Sequence, residues 1–174
     1  MAIAHPTADL CDKYHTHDVD ATVEEPALRI LPPIFRDYGG ARTFAGPAHT
    51  IKCFENNPLV RKAVLGPGRG RVLVVDGGGS LRCALLGDML GNIAAKNGWS
   101  GIIVNGCIRD AEGLGALPEL GVKALATCPL KSSKRDPGVE GAPVVIGGCV
   151  IRPGDYVYAD ADGVIVSREE LSLP

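Results

Sequence analysis

Three charged residues in the middle of the chain are of the types needed to bind a metal ion and an oxyanion. Arg109 and Asp110 follow the apolar run 101–104, and Asp88 precedes that run. A carboxylate suits a hard cation such as Mg²⁺, which keeps several waters and takes one or two protein carboxylates. A guanidinium suits an oxyanion. Adjacent residues of an extended chain point to opposite faces, so we expect Arg109 and Asp110 to have separate partners.

A predicted helix over residues 86–98 places Asp88 in its first turn. Gly98 is the expected stop, and apolar residues recur at helical spacing on one face, at Leu86, Met89, Leu90, Ile93 and Ala94. The first amides of a helix have no partner within it, so they form a cradle for a ligand carboxylate, here at Gly87, Asp88, Met89 and Leu90. Amides, an arginine and a metal together would bind a 2-oxo acid and stabilise its enolate.

Two simpler interpretations stay open for these residues. The Asp88 carboxylate can merely cap the helix that it begins. Arg109 and Asp110 can form a surface ion pair with little energetic consequence.

The predicted helix lies between two apolar segments that are typical of buried parallel strands. Residues 71–80 run from an apolar stretch into the glycine loop 76–80, and residues 101–106 form the next apolar stretch. Runs that are apolar on both faces indicate a sheet covered on both sides. A strand, helix and strand in this order predict a right-handed crossover, and ligands tend to bind at the carboxyl ends of such strands. The loop 76–80 and residues 105–110 would lie at that edge.

The remaining segments complete a single α/β domain over residues 1–174. Strands are predicted at 45–55 and 122–128, and a helix at 57–66 with Asn57 as N-cap, Pro58 in the first turn and Gly66 as stop. Residues 143–167 have the alternation and the Pro-Gly-Asp and Ala-Asp-Gly turns of a β-meander. Residues 1–33 are less regular, with a short helix over 8–14.

Composition excludes several classes of protein. The net charge of -2 argues against a general nucleic-acid or membrane surface. The six cysteines contain no C-x-x-C pair, which favours free thiols in a reducing compartment over a zinc site. The first residues lack a long apolar core, so we expect a cytoplasmic protein with neither signal peptide nor membrane span.

The glycine loops do not match nucleotide-binding fingerprints. The loop after the 71–76 stretch has Arg82 where a dinucleotide motif needs its third glycine. The segment 66–71 precedes a strand and lacks the Gly-Lys-Ser/Thr ending of a phosphate loop. These departures argue against binding of NAD, ATP or S-adenosylmethionine.

Three long stretches closely resemble the RraA-like family, which comprises the regulator of ribonuclease activity A and the class II 4-hydroxy-4-methyl-2-oxoglutarate aldolases. They are YGGARTFAGPAHTIKCFENN (38–57), GRGRVLVVDGGGSLRCALLGDMLGNIAAKNGWSGIIVNGCIRD (68–110) and YADADGVIVS (158–167). Aldolase members resemble the pattern Asp, twenty residues, Arg-Asp, which Asp88, Arg109 and Asp110 fit. The ribonuclease-regulator type tends to lack the two acids. Some members carry the name demethylmenaquinone methyltransferase, but nothing here resembles a methyl-donor site.

The resemblance implies a fold, an activity and roles for these residues. The fold would be a compact, swivelling-domain-like α/β/β sandwich, assembled as a homotrimer with active sites at subunit interfaces. The main chain of residues 87–90 would hold the pyruvoyl carboxylate, Arg109 the keto oxygen, and Asp110 a Mg²⁺ or Mn²⁺, partly through waters. The activity would be cleavage of 4-hydroxy-4-methyl-2-oxoglutarate or 4-carboxy-4-hydroxy-2-oxoadipate, with oxaloacetate decarboxylation as a second activity. The alternative is a regulator that binds and inhibits an endoribonuclease.

The acids that a neighbouring subunit contributes in bacterial aldolases do not map clearly onto this chain. Asp12, Glu24 and Glu25 are the candidates. His15, His17 and His49 are possible ligands, but surface or packing roles are favoured for all three.

Overall fold

The computed structural model describes residues 5–15 and 26–174, which form an α/β fold. The helices are α1 (Thr7–Tyr14), α2 (Pro58–Leu65), α3 (Asp88–Lys96) and α4 (Ala111–Gly115). The strands are β1 (Leu28–Ile30), β2 (Arg36–Asp37), β3 (Phe44–Lys52), β4 (Val72–Asp76), β5 (Ala84–Leu86), β6 (Gly101–Ile108), β7 (Gly121–Thr127), β8 (Val139–Glu140), β9 (Val144–Ile146), β10 (Cys149–Ile151), β11 (Tyr156–Ala159) and β12 (Val164–Ser167). A ten-stranded sheet has the order β1-β12-β11-β3-β4-β6-β7-β2, with β5 beside β6 and β8 beside β3, and β9 and β10 form a separate hairpin.

The long strand β3 joins two parts of the ten-stranded sheet that differ in direction. Its residues 44–47 pair antiparallel with β11, and its residues 48–52 pair parallel with β4. The strands β4, β6 and β7 continue the parallel part, as the predicted crossover requires. At the change of partner, a Cβ on Gly46 would lie 2.0 Å from the Gly70 carbonyl oxygen, so only glycine permits this close approach.

The parallel strands are buried on both faces, as their sequences predict. In β4, Leu73 and Val75 pack against α2, α3 and Trp99, whereas Val72 and Val74 pack against β11, β12 and the β9–β10 hairpin. This places helices, parallel strands and antiparallel strands in three layers. The α/β/β sandwich that the family resemblance implies is confirmed.

Helix α3 starts two residues later than its sequence predicts. Leu86 belongs to the short strand β5, and the side chain of Met89 is exposed rather than packed on the buried face. The end of the helix is as predicted. Gly98 has a φ of +78°, its amide donates to Ala95 O, and the Trp99 amide donates to Ala94 O, which together form a Schellman motif.

The C-terminal region is a meander only in part. β9 pairs with β10 and β11 pairs with β12, but β11 returns to β3 instead of pairing with β10. The turn residue Asp155 is buried and forms an ion pair with Arg29 at 2.9 Å. The six cysteines are free thiols, as expected. Within the described part of the chain, no helix is long and apolar enough to cross a membrane.

Candidate active site at the carboxyl edge of the parallel strands

The start of helix α3 presents free main-chain amides at the edge where the parallel strands end. Gly87 is the N-cap, and the first intrahelical hydrogen bond runs from Gly91 N to Gly87 O at 3.0 Å. The amides of Asp88, Met89 and Leu90 therefore precede the helical ladder and have no carbonyl of their own helix to bond. Asp88 is the first helical residue and makes no side-chain capping bond, so it is not the cap that one interpretation allowed.

Strand β6 delivers Arg109 and Asp110 beside this helix start. The Arg109 amide donates to Leu86 O at 2.9 Å, which fixes the end of β6 against the end of β5. A Cβ on Gly87 would lie 2.8 Å from Asp110 Oδ2 and 3.3 Å from Arg109 Cγ. The absence of a side chain at Gly87 is what allows the arginine and the acid to approach the amides so closely.

Arg109 and Asp110 contact each other, contrary to the expectation drawn from an extended chain. The distance from Arg109 Nε to Asp110 Oδ2 is 3.5 Å, and the side chains are 41% and 47% exposed. The reason is that Asp110 is not extended. Its φ of +54° and ψ of 45° lie in the left-handed region, where it serves as the N-cap of α4 and turns its carboxylate back toward Arg109.

The second acid, Asp88, lies against helix α4. A Cβ on Gly113 would lie 2.7 Å from Asp88 Cβ and 3.0 Å from Asp88 Oδ2. The two acids therefore stand at the starts of two neighbouring helices, with Gly87 between them. All the site residues that the sequence predicts, namely Gly87, Asp88, Met89, Leu90, Arg109 and Asp110, belong to this one rim.

The donor set at the rim fits a hard cation that keeps most of its waters. Among the described residues, no three or more His, Cys, Asp or Glu side chains are grouped to enclose a metal. A zinc site, with its three or four protein ligands, does not fit this arrangement. A half-exposed aspartate with a second acid nearby does fit Mg²⁺ or Mn²⁺, which need one or two carboxylates.

The histidines do not join the rim where the structure describes them. His49 Nε2 lies 2.9 Å from Glu140 Oε1, and His49 Nδ1 lies 3.1 Å from an Arg71 guanidinium nitrogen. This places His49 in a packing network on β3, as favoured from the sequence. His15 follows α1, where Asp12 is exposed, and His17, Glu24 and Glu25 lie outside the described residues.

A further ion pair, between Glu55 and Arg82, was not predicted from the sequence, because no local pattern indicates it. The Arg82 guanidinium donates to both carboxylate oxygens of Glu55, at 2.6 and 2.8 Å, and Ser80 Oγ donates to Glu55 Oε1 at 2.6 Å. The hydrogen bonds from Arg82, and to a smaller extent the one from Ser80, lower the pKa of Glu55 to about 2. Glu55 is thus a carboxylate fixed in its charged form.

The rim is partly exposed on the single chain, because the side chains of Arg109 and Asp110 are half-exposed and that of Met89 is exposed. Surface cavities of about 830 and 970 Å³ lie elsewhere, the first beside Trp99 and Ser100 and the second beside Arg29 and Arg152. Neither is lined by residues 87–90, Arg109 or Asp110. A small ligand at the rim would therefore remain partly exposed unless another surface covers it.

Comparison with known proteins assigns the chain to a family. Residues 7–166 match the RraA-like family model, described as Aldolase/RraA. Proteins of Burkholderia mallei (strain SAVP1) and Burkholderia pseudomallei (strain K96243), both provisionally named 4-hydroxy-4-methyl-2-oxoglutarate aldolase, are 57% identical over 165 residues, covering 95% of this chain and 96% of theirs. The chain belongs to the RraA-like family, as its sequence motifs indicate.

Two solved structures of similar size show the same fold. The RNA-processing inhibitor RraA from Thermus thermophilis has a TM-score of 0.87 and 41% identity, over 97% of this chain and 95% of that one. A Geobacillus kaustophilus HTA426 protein described as an S-adenosylmethionine:2-dimethylmenaquinone methyltransferase has a TM-score of 0.85 and 47% identity, over 96% and 97% of the two chains. The fold is therefore common to proteins that carry three different functional names, and the residues of the rim must decide among them.

Proposed function

We propose that this protein is a metal-dependent class II aldolase that cleaves 4-hydroxy-4-methyl-2-oxoglutarate, or 4-carboxy-4-hydroxy-2-oxoadipate, to pyruvate and a second 2-oxo acid. The observation that carries the proposal is the convergence of the α3 amides, Arg109 and Asp110 around Gly87. Each of the three suits one part of a 2-oxo acid. The names of the Burkholderia relatives support the same activity.

The main chain and Arg109 would bind the pyruvoyl half of the substrate. The amides of Asp88, Met89 and Leu90 would accept its carboxylate, aided by the positive end of the helix dipole. Arg109 would donate to the 2-keto oxygen.

Cleavage requires that negative charge accumulate on the oxygen that Arg109 holds. A base removes the proton of the 4-hydroxyl, the 4-oxygen becomes the carbonyl of the second 2-oxo acid as the C3–C4 bond breaks, and the electron pair of that bond forms the pyruvate enolate. Protonation of the enolate at C3 then gives pyruvate. The contact from Arg109 strengthens as that charge develops, so it lowers the barrier rather than merely tightening binding. Asp88 makes no capping bond, and its carboxylate is the group of this chain that we assign to proton transfer.

Asp110 would hold the cation, partly through waters. A bound Mg²⁺ or Mn²⁺ would supply a Lewis acid that polarises the same keto oxygen. The Arg109–Asp110 contact then keeps the guanidinium beside the metal-binding carboxylate. Loss of CO₂ from oxaloacetate yields the same enolate, so we propose oxaloacetate decarboxylation as a second activity of this site.

We further propose that the enzyme is a cytoplasmic homotrimer and that a neighbouring subunit covers the rim. The exposure of Arg109, Asp110 and Met89 on one chain supports this assembly, because water around the enolate would weaken the electrostatic stabilisation. Residues of the neighbouring copy, including a further acid, would complete the rim.

Inhibition of an endoribonuclease by protein contact is the second candidate, favoured by the likeness to the Thermus RraA. A purely steric inhibitor has no use for the amide cradle or for the acids Asp88 and Asp110. Their presence together favours the enzyme.

Pyruvate release from both substrates, measured with and without a chelator, tests the proposal. We expect release that chelation abolishes and Mg²⁺ or Mn²⁺ restores. If neither substrate yields pyruvate under any metal condition while an endoribonuclease is inhibited, the regulator is the correct function.

A further inference from the structure

Strand β5 is a three-residue element on which the geometry of the whole rim depends. It ends at Leu86, and the next residues are the Gly87 N-cap and Asp88. Its pairing with β6 is irregular, because a register shift lies between the bridges of Ala84 and Leu86. The few hydrogen bonds of a three-residue strand to its neighbour stabilise it only weakly, so contacts with other parts of the chain must hold it in place.

The loop that precedes β5 and β5 itself are both hydrogen-bonded to one segment, Glu55–Asn56–Asn57. On the side that precedes β5, the Glu55 carboxylate accepts hydrogen bonds from Ser80 and Arg82. Within β5 itself, Asn57 Nδ2 donates to Leu85 O at 3.1 Å. The segment therefore touches both the strand and the loop that leads into it.

The outer edge of β5 is held through a second loop. The Ala84 amide donates to Leu130 O at 2.8 Å, and the Ser132 amide donates to Ala84 O at 3.2 Å. The next residue, Ser133, donates its amide to the main-chain oxygen of Glu55 at 2.8 Å. Glu55 thus bonds to the chain before β5 through its side chain and to the chain beside β5 through its backbone.

Glu55 occupies a backbone conformation that its surroundings impose. Its φ is +56°, in the left-handed region that costs free energy for a residue with a Cβ. Such residues persist where the surroundings over-determine them. The hydrogen bonds from Ser80 and Arg82 to the Glu55 carboxylate, and the one from the Ser133 amide to its main-chain oxygen, hold Glu55 in this conformation.

We infer that Glu55 is a positioning residue for the reaction: it holds the loop before β5 and the loop beside β5, and thereby sets the α3 amides and Asp88 against Arg109. This inference rests on the proposed aldolase function. Glu55 acts through Ser80, Arg82 and Ser133 and is not itself a catalytic residue.

Glu140 supplies a matched control for Glu55. Its side chain is 24% exposed against 22% for Glu55, and it likewise forms a close ion pair, with Lys62 at 2.7 Å. The strand that carries Glu140 pairs with β3, and among the described residues it forms no hydrogen bond with β5. A carboxylate with similar burial and charge thus differs from Glu55 in its connection to the rim.

The test compares Glu55→Gln with Glu140→Gln by steady-state kinetics and by hydrogen exchange of residues 84–90. In Glu55→Gln we expect kcat/KM to fall about 10- to 100-fold, mainly in kcat, because displacements of about 1 Å cost that much. Exchange over residues 84–90 should become faster. Glu140→Gln should leave both unchanged. Unchanged kcat in a folded Glu55→Gln protein, or equal losses in the two variants, would overturn the inference.

If Glu55→Gln does not fold, Arg82→Gln removes the same ion pair from its 74% exposed partner and should give the same kinetic and exchange changes. Unchanged exchange and kcat in Arg82→Gln would then overturn the inference. A wild-type protein that releases no pyruvate would refute the proposed function, whereas the exchange result would still decide whether Glu55 holds β5.

Discussion

Replacement of Arg109 by lysine separates the folding role of the Arg109–Asp110 pair from its role in the proposed chemistry. The pair spans 3.5 Å between half-exposed side chains, so it contributes only about 0.2–1 kcal/mol to folding. For a chain of this length, that corresponds to a change in Tm of less than about 4 °C. Lysine keeps the charge but loses the planar fork that the keto oxygen requires.

The kinetic effect should be much larger. Removing one oxyanion donor typically lowers the rate by about 10² or more, equivalent to about 2.7 kcal/mol of transition-state stabilisation. Since the enolate oxygen carries more charge than the ketone, Arg109→Lys should lower kcat as well as raise KM. Release of pyruvate can be followed by coupling it to NADH oxidation with lactate dehydrogenase, for aldol cleavage and oxaloacetate decarboxylation in parallel.

Arg42→Lys is the control, because Arg42 also forms a weak surface pair, 3.8 Å from Asp37, and lies outside the rim. It should leave both rates unchanged. If Arg109→Lys abolished aldol cleavage but kept full decarboxylation, Arg109 would not be the partner of the enolate. A fall in Tm far above 4 °C with proportionate loss of folded protein would instead show that Arg109 acts through stability.

Three other outcomes test the rim. Excess chelator should abolish pyruvate release, and addition of Mg²⁺ or Mn²⁺ should restore it; full activity in chelator would exclude a metal. The Asp110→Asn variant should require a higher metal concentration and lose most of its activity. Gly87→Ala should lower kcat/KM at least tenfold while thermal melting shows a folded protein, because the new Cβ would meet Asp110 Oδ2 at 2.8 Å. Light scattering should give the mass of a trimer at micromolar concentration, and a monomer with full activity would show that one chain suffices.

Local patterns in the sequence determined much of the fold. The apolar runs of β4 and β6 and their burial on both faces follow from patterns that report burial directly, and the end of α3 follows from the positive φ that Gly98 accepts. The spacing of Asp88 and Arg109–Asp110 placed the acids and the arginine at one edge, since consecutive parallel strands end on the same side. These features depend on residues close together in the chain.

Tertiary structure alone decided how those residues meet. The left-handed backbone at Asp110, which turns its carboxylate onto Arg109, arises because α4 begins there, and no periodic pattern reports a single dihedral angle. The change of partners along β3 and the departure of β11 from the predicted meander depend on which strands are available to pair across the molecule. The link between Glu55 and Arg82 joins residues far apart in the chain, whose contact exists only once the loops around β5 are packed together.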